Sequence, residues 1–370
     1  MLATRPNTFD KKKLLLVSGA SLTALLCAGF ITQHFVLAST SPTIVHNPYV
    51  MVEFSHSPNG TSQPMVLSPS GRILVNSQGE ILNSAAGPVG SYTQTDGLQE
   101  AVNYATAKGE DVYIEGGSAV GHSNNNVYFL NRTLVIPPEQ DFRIDGGEAV
   151  INYNPSTGNA IDINSSEDCH YRFGVIVTGA THGKAINFNP TEPTPVDHLV
   201  VITDSSFRFS SIATSKPIGT SASGIYFNAS SGPILWNHIF ATAVVGFQNN
   251  VVAQSKNSTD AVTFNRITVG HNHQASQAVG VISPFSVGNM WNLNDDRNGT
   301  HSVGIIDEAE NNTFVIQSSG FPSGENILFK SGAIGNVVIG IGPVSVTDNN
   351  PPGKNRVITG YPGVGNPGNA

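Results

Sequence analysis

The 370-residue sequence is poor in cysteine and poor in charged side chains. Its two cysteines are Cys27 and Cys169, and removal of an N-terminal signal that contains Cys27 would exclude an intramolecular disulfide. Charged residues make up only 12% of the chain, and the formal net charge is −8. An acidic chain of this kind is a poor partner for nucleic acid, and only a local basic groove would suit it to a polyanionic ligand.

Helical and cofactor-binding patterns are also scarce. The sequence has no long amphipathic helical stretch, and it lacks a Gly-rich phosphate loop, a zinc-ligand spacing and a nucleophile elbow. Its 38 glycines, together with many Asn, Ser and Thr, favour strands and turns. We therefore expect an all-β protein without a bound organic cofactor.

The most informative feature is a row of asparagines, each of which opens a short β-type run, at intervals of 28, 24, 23, 24 and 19 residues. The row consists of Asn237, Asn265, Asn289, Asn312, Asn336 and Asn355. The second and fourth residues after each Asn are mostly apolar, and a second apolar row between them indicates about two strands per repeat. Because so short a repeat cannot also hold a helix, we predict a right-handed parallel β-helix whose stacked Asn amides hydrogen-bond along the axis.

The N-terminus has the pattern of a secretory signal. Lys11, Lys12 and Lys13 precede an apolar stretch, which predicts a signal peptide or signal anchor over residues 1–38 and a secreted or cell-surface location. Residues 39–92 are rich in Ser, Pro and Gly, so we interpret them as a leader or linker. Within it, SGRILVNSQGEIL predicts a hairpin that turns at Gln78-Gly79.

The β-helix is expected over residues 93–360, with a flexible tail over residues 361–370. A short capping helix begins it, with a capping box formed by Asp96 and Gln99 and an end at Gly109. One apolar face of this helix is formed by Leu98, Ala101, Val102 and Ala105. An amphipathic helix in this place would cover the open end of the solenoid and protect its edge strands.

The segments that follow in order are TDGLQEAVNYATA, DVYIEGG, LVIPPEQDFRIDGG and GNAIDIN. Over residues 93 to about 165 this order resembles the pectate lyase superfamily, in its rhamnogalacturonase and epimerase-like branch with the pectin lyase fold. The resemblance implies a right-handed β-helix. It leaves the chemistry open, because that fold carries lyases, glycoside hydrolases, epimerases, phage tail proteins and inert surface proteins. Thr203-Asp204, Gly270-His271 and Asp295-Asp296 match polygalacturonase motifs, but the His precedes the Asp pair and the closing basic motif is absent.

Two adjacent repeats carry ionisable residues at matching offsets. His271 and Asp295 lie six residues past their asparagines, and His273 and Arg297 lie eight past, with Asp296 between the last pair. Equivalent positions of a β-helix stack about 4.8 Å apart, so we expect one cluster. Asp295 and Asp296 would divide acid and base roles in a glycoside hydrolase, with His271 and Arg297 in support; in a lyase, His271 or Arg297 would neutralise a uronate carboxylate.

Further expectations and alternatives accompany this cluster. Arg266, Tyr226 and His273 are candidate contacts for an extracellular polysaccharide. A calcium site is an alternative, with Asp307, Glu308 and Glu310 as ligands together with Asp295 or Asp296. The alternative to an enzyme is a non-catalytic surface or adhesion rod, in which DDRNGT is a solvated turn. A homotrimer also stays open, because β-helix proteins of phage tails trimerise.

Overall fold

The computed structural model describes residues 49–56, 62–116, 127–215, 221–295, 303–317, 325–341 and 344–361. The chain divides into residues 1–46 and residues 47–370, and all the described residues belong to the second unit. The signal predicted over residues 1–38 lies outside the described residues, and so do residues 362–370 of the tail predicted over 361–370, whereas Tyr361 ends the last strand. Within the described ranges, no helix has the length and apolar character needed to cross a membrane.

The N-terminal elements are β1 (Tyr49–His56), β2 (Ser62–Leu67), β3 (Ile73–Val75), α1 (Leu98–Lys108), β4 (Asp111–Ile114) and β5 (Val127–Leu130). The middle strands are β6 (Leu134–Ile136), β7 (Glu139–Gln140), β8 (Arg143–Tyr153), β9 (Ile161–Ile163), β10 (Ser166–Glu167), β11 (His170–Thr178), β12 (His182–Phe188), β13 (Ile202–Thr203), β14 (Ser206–Thr214), β15 (Ser221–Ala229), β16 (Ile234–Leu235), β17 (His238–Val245), β18 (Asn249–Ser255) and β19 (Val262–Thr263). The C-terminal strands are β20 (Arg266–His273), β21 (Ala278–Ile282), β22 (Met290–Asp295), β23 (Val303–Asp307), β24 (Thr313–Gln317), β25 (Glu325–Phe329), β26 (Val337–Ile341), β27 (Val346–Asp348) and β28 (Arg356–Tyr361).

These strands form three sheets that are parallel from β4 onward. Sheet 1 has 14 strands and includes β8, β11, β14, β17, β20 and their successors; sheet 2 has nine strands, from β6 to β27; sheet 3 has five short strands, from β7 to β19. From β8 to β19 the chain visits sheets 1, 2 and 3 in that order, and each strand pairs with its equivalent in the next passage. We call one such passage a coil. This architecture of stacked parallel sheets is compatible with the predicted solenoid.

Sheet 3 was not predicted. Between Asn237 and Asn265, the apolar segment TAVVG ends β17 in sheet 1, and the apolar segment DAVTF contains β19 in sheet 3. The strand of sheet 2 in that coil is β18. Two-residue strands such as β16 and β19 are too short to show an alternating pattern, so the sequence indicated two strands per repeat where the longer coils have three.

The asparagine row forms a continuous hydrogen-bonded ladder, as predicted. The Asn265 side chain accepts the backbone N–H of Asn237 at 3.0 Å, and the Asn289 side chain accepts that of Asn265 at 3.0 Å. The same contact joins Asn289 to Asn312 at 2.9 Å. These asparagines are at most 2% exposed. The ladder continues toward Asn336 and Asn355 and extends in the other direction through the Ser205 hydroxyl.

Stacked aromatic rings fill the interior between sheets 1 and 2. Phe173 stacks on Phe209 with ring centroids 6.0 Å apart, and Phe188 stacks on Phe227 at 4.9 Å. Trp291 is fully buried and lies in register with Ile267 and Phe314, so the prediction that it packs in the core is confirmed. Because equivalent inward positions repeat in each coil, the core is a column of rings and aliphatic side chains rather than a single cluster.

The helix α1 packs its apolar face on the first strands, and Gly109 ends it in the left-handed conformation, both as predicted. The predicted capping box is wrong. Asp96 has φ 50°, which turns its carboxylate away from the helix to accept the N–H of Phe129 at 2.6 Å. The N-cap is Gly97, and the hydroxyl of Thr95, two residues earlier, accepts the N–H of Gln99 at 3.0 Å. The Gln99 amide pairs with both backbone groups of Val135.

Residues 49–92 were expected to be part of a leader or linker, but their strands belong to sheet 1. Strand β1 pairs in parallel with β4, so this part of the chain extends sheet 1. Strands β2 and β3 continue the sheet in antiparallel fashion, and Val75 bridges Ile81 across the predicted hairpin turn at Gln78-Gly79. Apolar side chains such as Val50 and Val52 are fully buried, which is why this segment packs on the solenoid although its surroundings are rich in Ser and Pro.

A buried carboxyl group at the end of β23 makes stability depend on pH. Asp307 is fully buried, and burial raises its pKa from 3.8 to about 8; the N–H of Ala309 acts against this shift and Glu308 adds to it. Because the folded pKa lies above the unfolded value, the contribution to stability is complete below about pH 4 and is lost as pH rises through about 8.

We therefore expect Asp307→Asn, which mimics the protonated acid, to flatten the decrease in unfolding free energy between pH 4 and 8. Urea unfolding at a series of pH values measures this, with Glu310→Gln as the control because Glu310 is exposed three residues away. Some slope should persist, since burial also raises the pKa of Glu139 to about 7. An unchanged slope in Asp307→Asn would contradict the assignment.

Candidate functional site

The predicted cluster is only partly within the described residues. His271 is exposed on β20, in register with Ala243 of the preceding coil. Toward the following coil, a register shift places Asp295 beside Asn272, so the predicted stacking of Asp295 on His271 is wrong by one position. The side chains of His273 and Asp295, and the whole of Asp296 and Arg297, lie outside the described residues. The catalytic roles assigned to these residues stay predictions.

The predicted binding residues lie on different sheets. Arg266 is exposed on sheet 1, whereas Tyr226 lies on sheet 2. The Tyr226 hydroxyl donates to the Gln254 side chain at 2.8 Å, and the ammonium of Lys184 lies 4.7 Å from the centre of its ring. The structure therefore does not bring Tyr226 and Arg266 onto one surface.

The predicted calcium ligands are also dispersed. Asp307 is buried on sheet 2, while Asp295 ends a strand of sheet 1. Glu308 is engaged by Lys330, whose ammonium lies 2.6 Å from its carboxylate. Across the part of the chain that the structure describes, no group of three or more His, Cys, Asp or Glu side chains is placed to hold a metal ion.

A different group of side chains comes together on the outward face of sheet 1. Two positions of each strand, separated by one buried residue, stack over five successive coils from β8 to β20. The first row is Arg143, His170, Ser206, His238 and Arg266. The second row is Asp145, Arg172, Arg208, Phe240 and Thr268. At about 4.8 Å per coil, the two rows extend for roughly 19 Å along the stack.

Two adjoining depressions lie along these rows from β8 to β17, and we call them, together with the row positions of β20, the groove. Its larger part has a volume of about 480 Å³ and is lined by side chains that include Arg143, Arg172 and Arg208. A smaller part of about 170 Å³ is lined by Ser206, Arg208, His238 and Phe240. Ser206 and Arg208 line both parts, so one elongated ligand can contact both.

One carboxylate organises the N-terminal end of the groove. Asp145 lies 2.9 Å from the guanidinium of Arg143 and 3.7 Å from that of Arg172, and its hydrogen bond with Arg143 raises the pKa of Arg143. The Arg172 side chain passes directly over Gly147, where any Cβ would collide with it. Both arginines stay about half exposed, which leaves N–H groups for a ligand.

The remaining cations of the groove are less neutralised. Arg208 and Arg266 form no ion pair with any residue that the structure describes. His238 lies between them in the stack, and its pKa is lowered by burial and further by the positive charges of Arg266 and Arg208. A ligand carboxylate or sulfate here would relieve this repulsion. Guanidinium groups suit such ligands because they donate two parallel hydrogen bonds to one anion.

An aromatic pair occupies the turns that directly precede β17 and β20 along the chain. In most coils the residue before the ladder position has a positive φ, and these residues are Asp141, Asp168, Asp204, Trp236, Phe264, Gly288, Asn311 and Gly335. Trp236 and Phe264 are 60% and 59% exposed, and their rings stack at 6.5 Å with an interplanar angle of 23°. For bulky residues this conformation costs on the order of 1 kcal/mol each.

The sequence contains a pattern that predicts the groove, but it lies in repeats whose ladder position is not an asparagine. The ladder position is held by Cys169 and Ser205 in two earlier coils, where no Asn marks the repeat. If those residues are aligned with Asn237, then His170 and Arg172, and likewise Ser206 and Arg208, fall at the first and third positions after the ladder. This alignment would have shown the stacking of cations over several coils.

Comparisons with known proteins provide no relative from which to transfer a function: no family model, no curated protein and no solved structure matches the chain. The function must therefore be inferred from the groove itself.

Proposed function

We propose that this chain is a single right-handed parallel β-helix of the pectate lyase type, secreted or held at the cell surface, that binds an acidic extracellular polysaccharide in the groove of sheet 1. The observation that carries the proposal is the stack of arginines on four of five successive coils, formed by Arg143, Arg172, Arg208 and Arg266, with His170 and His238 in the same rows. These cations face outward from a protein whose formal net charge is −8.

The shape of the groove favours a chain-like ligand. Its cations repeat at the spacing of the coils, so a linear polymer of uronate or sulfated sugars that runs along the stack meets a cation at several successive positions. A small anion would engage one or two of them. Nucleic acid is a weaker candidate, because a duplex carries one charge per about 1.7 Å, much denser than one row position per coil of about 4.8 Å, and the net charge of the protein is negative.

Cleavage is a separate proposal that would extend the same function. His271 and Arg266 lie five residues apart on β20, so the catalytic group proposed around Asp295, Asp296, His271 and Arg297 would act near the Arg266 end of the groove. Binding without cleavage would instead fit the alternative of a non-catalytic surface or adhesion protein.

The test compares one polymer in two charge states. Polygalacturonate and its fully methyl-esterified form share a backbone, and only the first carries carboxylates. We expect the purified protein to bind polygalacturonate or another acidic polysaccharide, such as a sulfated galactan, with an affinity that decreases as salt increases, and to bind the ester at least tenfold more weakly. Titration calorimetry or affinity electrophoresis measures this. Equal affinity for the charged and neutral forms, or no binding to any acidic polysaccharide, would contradict the proposal.

The same samples test cleavage. New reducing ends together with the absorbance of unsaturated uronates would identify a lyase, and reducing ends alone would identify a hydrolase. Binding without either signal would support the non-catalytic alternative.

A further inference from the structure

The local backbone gives no reason for Trp236 and Phe264 to be aromatic. Both have φ near 57°, a conformation that Gly, Asn and Asp adopt at least cost. The equivalent positions of the flanking coils hold residues of those types, namely Asp204 before the pair and Gly288 and Asn311 after it. Two successive coils thus carry bulky rings at a position where smaller residues would fold with less strain.

The two rings also do little for the core. Each leaves about three fifths of its surface exposed, whereas the interior rings nearby, such as Phe227 and Trp291, are fully buried. The rings stack on each other, and a Cβ on Gly288 would lie only 2.7 Å from the ring of Phe264. The glycine therefore lets the ring of Phe264 lie close to the backbone of the next coil, which makes a smooth apolar strip two rings long.

This strip directly precedes the groove residues of β17 and β20 along the chain. Trp236 comes two residues before His238, and Phe264 comes two residues before Arg266, so each ring belongs to a turn that leads directly into the first cationic row. The depression next to it is lined by His238, Arg208 and Phe240. We infer from this spacing that a polymer lying on His238 and Arg266 passes beside both rings.

We propose that Trp236 and Phe264 form a sugar-stacking subsite that holds the C–H face of pyranose rings in the polysaccharide bound by the groove. The inference rests on the proposed function and narrows its ligand. A pyranose presents hydroxyl and carboxylate groups at its edges and an apolar face of C–H bonds, which flat aromatic side chains contact well. The arginines of the groove would select a polymer that carries negative charge. The two rings would select sugars whose apolar face is free of substituents.

The decisive variant is the double substitution Trp236→Gly and Phe264→Gly. Glycine occupies this turn position natively at Gly288 and Gly335, so the variant should fold and should be at least as stable as the wild type. We expect its affinity for the acidic polysaccharide to decrease about tenfold while the dependence of the affinity on salt stays unchanged, because the lost contact is apolar. Tyr92→Ala is the control, since Tyr92 is 62% exposed and lies in the segment before α1, where it bridges Glu80.

A direct signal is available from tryptophan fluorescence. The chain has two tryptophans, and because Trp291 is fully buried, quenching by acrylamide reports on Trp236. We expect saturating polysaccharide to protect the wild-type fluorescence from acrylamide.

The outcomes separate this subsite from the proposed function. Wild-type protein that binds no acidic polysaccharide would overturn both. Binding by the wild type, combined with unchanged affinity in the glycine variant or with no protection of Trp236, would overturn the subsite alone. A wild-type oligomer that the glycine variant disperses in sedimentation experiments would assign the rings to self-association and would also overturn it. A glycine variant that is markedly less stable than the wild type would show that the rings are structural.

Discussion

Replacing Arg172 and Arg208 by alanine is expected to weaken binding of an acidic polysaccharide about a hundredfold at low salt. Each guanidinium offers charge-assisted hydrogen bonds to ligand anions, and each such contact contributes roughly 1.5 kcal/mol. The two arginines are neighbours in the second row of the groove, and Arg208 lines both parts of the depression. The logarithm of the affinity should also depend less steeply on the logarithm of the salt concentration, because fewer ligand charges are neutralised.

A charge-matched control distinguishes the groove from the charge of the whole protein. Arg72 and Arg356 are exposed arginines outside the groove. Arg356 is in register with Arg266 on sheet 1 but lies four coils beyond it. Their double replacement by alanine changes the net charge by the same amount. We expect it to weaken binding no more than twofold to threefold. If both double variants weaken binding equally, the ligand senses the overall charge and the groove is not its site.

The fold was largely predictable because its repeats are marked by a residue with a structural task. A ladder asparagine such as Asn265 both accepts and donates hydrogen bonds in the interior, which an amide does well, so the Asn recurs and marks the coils. The inward residues Ile267 and Trp291 follow from the same alignment. Where a hydroxyl or thiol takes the place, at Ser205 and Cys169, the sequence no longer shows the repeat.

The candidate site was harder to predict, because its residues are ordinary one coil at a time. A single exposed Arg on a strand carries no functional signal; the groove exists because Arg172 and Arg208 stack in register. The alignment by equal offsets also failed where a strand shifts its register, as between Val269 and Asn272. Such shifts depend on the local backbone and not on the hydrophobic pattern. The sequence therefore contains no sign that Asp295 would lie beside Asn272 instead of His271.

The ladder itself gives the largest expected effect on stability. The Asn265 side chain accepts the backbone N–H and the amide of Asn237, both at 3.0 Å. Its own amide donates to the carbonyls of Ile234 and Thr263 at 2.8 Å and 3.0 Å and to the Asn289 side chain at 3.1 Å. Asn265→Ala would leave several of these buried groups without partners, at roughly 1 to 3 kcal/mol for each group.

We therefore expect Asn265→Ala to lower the unfolding free energy by about 4 kcal/mol, measured by urea unfolding. Asn154→Ala is the control: Asn154 is exposed, and its side chain makes one hydrogen bond, to Asn131, so its loss should cost less than about 1 kcal/mol. Asn265→Asp keeps the acceptor but cannot donate, and it buries a charge among carbonyl groups. It should destabilise the protein at neutral pH and less so in acid, where the carboxyl group is protonated and regains a donor. A small cost for Asn265→Ala would mean that the ladder follows from the stacking of the sheets rather than stabilising it.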